Sequence, residues 1–179
     1  ACPGVLTGAT HDDIALELEL RPPPDAQSIA FDFNFFTWEW PVYVCSQYND
    51  FFVALLEPFP IKQTDGNISF DSEGNPVSVN NGLVRVCTCN NGPPCDAPPV
   101  NPLKSYDCEL GASQLTGTGF EDHAATGWLR TVSPLGSTDT ITLRFGVYDS
   151  GDGLLDSLVV LDNFVWLGDP VDDPGTKPK

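Results

Sequence analysis

Asp139-Thr-Ile-Thr-Leu-Arg-Phe-Gly-Val-Tyr-Asp-Ser-Gly-Asp-Gly-Leu-Leu-Asp-Ser-Leu-Val-Val-Leu-Asp-Asn-Phe-Val-Trp-Leu167 decides the fold. Ile141, Leu143, Phe145 and Val147 recur at every second position, and strand side chains point alternately to opposite faces, so these four share one face of a strand. Residues 158–167 read as the returning strand. The loop between them carries Asp149, Asp152 and Asp156 around Gly151 and Gly153, with Asp162 and Asn163 beyond it. Carboxylates crowded onto a turn repel one another unless a cation or a set of backbone N–H groups neutralises them. The segment predicts a β-sandwich with a Ca²⁺ site at one end, and it carries no sign of an enzyme.

Strand signals recur through the rest of the chain. Residues 14–20 alternate cleanly with Glu17 and Glu19 outward, and Arg21-Pro22-Pro23-Pro24-Asp25 ends that run. Residues 28–37 put Ile29, Phe31, Phe33 and Phe35 on one face and Asp32 and Asn34 on the other. Residues 51–57 are almost continuously apolar, which suits a strand covered on both faces. A small hairpin is expected over 62–79, a tight turn at Asn80-Asn81-Gly82, and a run back over 83–88. Residues 115–120 and 126–132 supply two further short strands, and 107–115 one turn of helix. The fold class predicted is all-β, a jelly-roll-like antiparallel β-sandwich. It spans residues 1–168 as one domain, with an N-terminal extension at 1–13, a Cys/Pro-rich loop at 89–111, and a linker or disordered tail at 169–179.

The 179 residues include 17 Pro and 16 Gly, a composition suited to short strands joined by many turns. Twenty-five acids against eight bases give a net charge of −17, which disfavours nucleic acid and anionic lipid as partners and favours divalent cations or an extracellular setting. The plainer explanation of that charge is solubility. No run approaches the ~20 apolar residues that span a bilayer. The simplest account is a secreted product that begins at Ala1 after removal of a signal.

Six cysteines form an even set: Cys2, Cys45, Cys87, Cys89, Cys95 and Cys108. Four lie in the pattern C-x-C-x5-C-x12-C among five prolines. Zinc is disfavoured, because there is no C-x2-C knuckle and no nearby His, whereas disulfides suit a loop that cannot form a regular hydrogen-bond ladder. Six cysteines allow fifteen pairings. The one we expect pairs the last four among themselves and joins Cys2 to Cys45.

Trp38-Glu39-Trp40-Pro41-Val-Tyr43 and Tyr48-Asn49-Asp50 gather aromatics beside acids. With Trp128, the rings of Trp38, Trp40, Tyr43 and Tyr48 are candidate glycan contacts, since indole and phenol faces stack on sugars while carboxylates take hydroxyls. The plainer reading is sandwich core with a polar turn. His11 and His123 are the only histidines, and no G-x-S-x-G elbow accompanies them, so a Ser/His/Asp triad has no support. The loop at 149–156 is not an EF-hand, because Gly151 and Gly153 occupy ligand positions and Val160 stands where the closing Glu belongs. A Ca²⁺ site would draw on Asp149, Asp152, Asp156, Asp162 and Asp50, with Glu39 a further donor. Asn67-Ile-Ser69 matches a glycosylation acceptor.

Two blocks carry a family resemblance: Cys45-Ser-Gln-Tyr-Asn-Asp-Phe-Phe-Val-Ala-Leu-Leu56, and Gly117-Thr-Gly-Phe-Glu-Asp-His-Ala-Ala-Thr-Gly-Trp-Leu129 followed by residues 141–166. Together they resemble the bacterial choice-of-anchor L domain over roughly residues 28–167. The resemblance implies an extracellular or cell-surface β-sandwich and brings no catalytic residues with it. The Cys-rich loop and the opening Ala-Cys-Pro depart from the family pattern. The function expected is non-enzymatic: adhesion, or self-assembly into an oligomer or filament in which residues 1–10 complete a neighbour's sheet edge, with Ca²⁺ as stabiliser. The alternative is a lectin-like carbohydrate-binding module, and a hydrolase using two carboxylates stands third.

Overall fold

The computed structural model describes residues 2, 5–60, 63–89, 95–97, 104–137 and 139–179. These residues include twelve strands: β1 (Thr10–Leu20), β2 (Ser28–Thr37), β3 (Phe51–Glu57), β4 (Val77–Ser78), β5 (Val86–Cys87), β6 (Cys95–Ala97), β7 (Lys104–Tyr106), β8 (Ala124–Ala125), β9 (Leu129–Pro134), β10 (Ile141–Ser150), β11 (Ser157–Leu167) and β12 (Gly175–Pro178). All their pairings are antiparallel. One sheet runs β1-β10-β3-β4. In the other, β2 pairs β11 along one edge and β9 and β8 in succession along the other, while β12 and β5 lie outside β9 and β8.

The alternation read from the sequence explains why these sheets face each other. Ile29, Phe31, Phe33 and Phe35 of β2 meet Phe52, Ala54 and Leu56 of β3 and Ile141, Leu143 and Phe145 of β10 in one buried cluster. Phe31 and Phe145 are edge-to-face at 4.9 Å, and Phe33 lies 4.6 Å from Phe52, so aromatic pairs bridge the two layers. Each such side chain contributes roughly 1.5–3 kcal/mol by leaving water.

Several expectations need correction. β10 and β11 do not form a hairpin: β10 pairs β1 and β3, β11 pairs β2, and the 151–156 loop arches from one sheet to the other. That crossing lets both strands bury one apolar face in the same core. The face of β2 that carries Asp32 and Asn34 is covered as well, since every residue of β2 is buried. Residues 115–120 form no strand. A 3-10 turn at Ser113–Leu115 runs into turns where Gly117 and Gly119 hold φ of 78° and 84°, outside strand geometry. Within 89–111, the β6-β7 ladder does form, pairing Cys95 with Tyr106. Residues 169–179 are not a free tail, since β12 pairs β9 and Thr176 shares a buried hydroxyl cluster with Thr131 and Ser69. Lys62, at the start of the expected hairpin, lies outside the described residues. The rest of that hairpin is a turn at Asp71–Asn75 closed by a Phe70↔Pro76 bridge.

Cys2 is bonded to Cys45 and the last four cysteines pair among themselves, as expected, and the structure settles the arrangement that the sequence left open as Cys87–Cys108 and Cys89–Cys95. They surround a second cluster built on Trp40, Val44, Val79 and Tyr106. The N-terminal segment therefore cannot reach a neighbour as a free strand: Cys2 is bonded to Cys45, Gly8 N–H donates to Ser150 Oγ, and Gly151 N–H donates to the Ala9 carbonyl. No helix of the described residues is long and apolar enough to cross a membrane.

Candidate functional site

The acidic end forms where four segments meet. Glu39 follows β2, its N–H capped by Thr37 Oγ1 at 3.1 Å and its carbonyl accepting from Tyr43 N–H. Asp50 stands immediately before β3, and Asp149 lies at the end of β10. Asp152 and Asp156 come from the interstrand arch, which Gly151 enters at φ 103°, packed against Gln47 and Tyr48 where a Cβ would crowd both. A register break in β1 between His11 and Ile14, with Asp12 at φ 45°, swings the Asp12 carboxylate against Gly153.

The electrostatics of this end are adverse without a counter-charge. Glu39 is 2% exposed, and its Oε2 has no hydrogen-bond partner. Burial, with Asp50, Asp152 and Asp149 nearby, pushes its carboxyl up to about 8. Asp50 is equally interior. Burial raises it to about 7 against the opposing hydrogen bond from Ser157 Oγ at 2.6 Å, with Asp149 and Asp152 adding to the rise. Asp149 is raised by burial and then by Asp12, Asp156 and Asp152. Asp50 and Asp149 share a hydrogen bond between their side chains, so these two titrate as a pair.

The structure places Asp50, Asp149, Asp152 and Asp156 at this one end, where Glu39 and Asp50 are the interior members of the group. Asp162 does not join them. It sits on β11 opposite Asp32, where a bulge between Asp162 and Val165 turns Asn163 Nδ2 onto Asp32 at 2.9 Å. Asp12 was not legible in advance, because its placement depends on a bulge that no period-2 pattern announces. Among the described residues, the one group of three donor side chains whose atoms lie within 4.8 Å of one another is Cys87, Cys95 and Cys108. Those sulfurs are tied up in disulfides and offer no thiolate.

The aromatic candidates scatter. Trp40 is core, edge-on to Tyr106 at 4.9 Å with its Nε1–H donating to the Thr88 carbonyl, so it cannot contact a glycan. Tyr43 and Tyr48 are half-buried against each other. Trp38 and Trp128 remain 38% and 37% exposed, and Trp38 stacks on His123 at 4.2 Å. That histidine's Nδ1 is 2.9 Å from the Trp40 carbonyl, which gives it a structural partner.

The second surface feature is an open side of the sandwich. β1 and β11 are both eleven-residue strands, and among the described residues each is paired on one edge only. An apolar groove of about 210 Å³ is lined by Ile14, Leu16, Phe52, Phe145, Val159 and Leu161. Ile14 and Leu16 are 71% and 50% exposed, and Leu158, Val160 and Phe164 are exposed as well. Apolar positions on long free edges are what soluble sheets ordinarily avoid.

Compared with known proteins, the chain matches the model of the choice-of-anchor L domain over residues 4–164. No curated protein and no solved structure matches it.

Proposed function

This chain belongs to the choice-of-anchor L domain family, a surface or extracellular module, and on that premise we propose that it is non-enzymatic and works by self-association through its open sandwich edge. The observation that carries the reading is the apolar groove flanked by two free strand edges. The occupant is a second copy of the same chain. One copy's β11 edge meets the next copy's β1 edge, adding main-chain hydrogen bonds while Ile14, Leu16, Leu158 and Val160 leave water together. Because β1 and β11 are different surfaces, the contact is head-to-tail, and an open head-to-tail contact propagates into a filament. The N-terminal arm plays no part in it, being bonded to its own domain.

The charge of −17 opposes association at low ionic strength, so assembly is expected to strengthen as salt rises through the range where the screening length falls below ~10 Å. Light scattering coupled to size exclusion, across protein and salt concentration, reads this directly. Oligomers that grow with both support it, and Leu16→Lys with Val160→Lys should return the protein to monomer without lowering its melting temperature. A monomer at every concentration and salt would end the proposal.

A further inference from the structure

We infer that Glu39, Asp50, Asp149 and Asp152 bind one calcium ion, with Asp12 and Asp156 at the rim of the site. The inference is independent of how the module associates.

Acidic clusters on a surface are ordinary, and what sets this one apart is Glu39. Its Oε2 is interior and receives no hydrogen bond. A carboxylate oxygen taken out of water without a donor bears a desolvation penalty that folding must offset elsewhere. The ion pairs among the described residues do not relieve it: Arg130 and Lys179 serve Asp32, Arg85 serves Glu109, and Arg144 serves Glu17. The carboxylates of Asp50, Asp149 and Asp152 near Glu39 add like charge around that interior oxygen. A dication placed among them turns mutual repulsion into attraction for all four.

The donor chemistry selects the ion. Every donor of the proposed set is a carboxylate oxygen, which suits a hard cation, although His11 stands beside the set, paired with Asp149. One of the donors, Asp152, lies in the arch, which is not held in either sheet, while Asp149 ends β10 just before it. Such a loop can supply the irregular shell of six to eight oxygens at about 2.3–2.6 Å that Ca²⁺ accepts, whereas Mg²⁺ demands a near-octahedral set. No three carboxylates among the described residues already converge within 4.8 Å, so binding draws the arch inward onto Glu39 and Asp50. Asn49 also has an unpartnered buried oxygen, but it lines a separate cavity with Asn80 and Asn81 and is left out of the ligand set.

The test uses the full oxidised chain, stripped with EGTA. Calcium at a hundredfold excess over its Kd should raise the melting temperature by roughly 5–10 °C, and Mg²⁺ at the same concentration by much less. Terbium emission excited through tyrosine, with Tyr48 packed on Gly151, should appear on titration and be displaced by Ca²⁺. Glu39→Gln and Asp152→Asn should each abolish the calcium shift and the terbium signal while melting no lower than the stripped wild type, since neither adds charge to this end. Asp162→Asn, away from the cluster, should keep the full response. A wild type that ignores calcium, a magnesium shift equal to the calcium shift, or a Glu39→Gln variant that responds as Asp162→Asn does would overturn the inference.

Discussion

Reduction of the three disulfides is expected to unfold the protein at temperatures where the oxidised chain remains folded. The bridges span separations of 43, 21 and 6 residues. Loop-closure entropy then assigns them roughly 4, 3 and 2 kcal/mol. A domain of this size has a net stability of about 5–15 kcal/mol, so losing all three removes most of it. The loss is not spread evenly. The main sandwich cluster contains no cysteine, whereas the second cluster packs Trp40, Val44 and Tyr106 among all three bridges and is framed only by strands of two and three residues. The Cys2→Ala/Cys45→Ala double variant should melt roughly 8–16 °C below wild type, and Cys89→Ala/Cys95→Ala should show the smallest drop of the three pairs. Calorimetry of the three double variants checks the order. Equal drops for the 43-residue and 6-residue loops would contradict the entropic account.

That pattern of stability also explains what could be read from the chain. The strands with long clean alternation were legible to the residue: β2 and β3 occupy the spans their apolar periods mark. The strands that were not legible are short or carry weak patterns. β12 reads as Gly-Thr-Lys-Pro and is a strand because Thr176 finds Thr131 and Ser69, a tertiary contact invisible in a local window. Residues 115–120 alternate as a strand would, yet two glycines at positive φ turn them aside. Sheet assignment failed at β10–β11 for a similar reason, since period-2 alternation fixes which face is buried but says nothing about which sheet the next strand joins.

The acidic end was legible in part. Asp149, Asp152 and Asp156 announce themselves by density along the chain, and Asp50 by its place before an apolar strand. Asp162 looked like a member because it is near in sequence, but five residues along a strand carry it roughly 17 Å away from the arch. The open edge was not foreseen. Leu16 and Val160 look like core residues in a window, and only the topology, which leaves β1 and β11 both unpaired on their outer sides, exposes them.

Asp32 carries the last large effect. It lies buried in β2, directly opposite Arg130 on β9 and opposite Asp162 on β11. Arg130 Nε donates to it at 2.6 Å, Lys179 Nζ at 2.5 Å and Asn163 Nδ2 at 2.9 Å. Burial alone would raise its carboxyl, but the hydrogen bonds from Arg130, Lys179 and Asn163 outweigh it and hold the group at about 2 against an ordinary 3.8. Arg130→Ala leaves this anion with one cation instead of two. A fully enclosed pair broken this way costs about 3–5 kcal/mol, and because the Arg130 and Lys179 side chains are 37% and 52% exposed, we expect about 2–3 kcal/mol here. The pH dependence follows from the depressed titration. The ionised form contributes stability that is complete above the ordinary value near 3.8 and is lost as pH falls through the folded-state value near 2. Other acids of this chain titrate in the same range, so the readout is the difference between wild type and Asp32→Asn in urea unfolding at successive pH. That difference should be constant from pH 7 down to about 4 and shrink toward pH 2. A difference that holds unchanged to pH 2 would mean that Asp32 titrates alike in the folded and unfolded chains, and that Arg130 and Lys179 do not favour its ionised form.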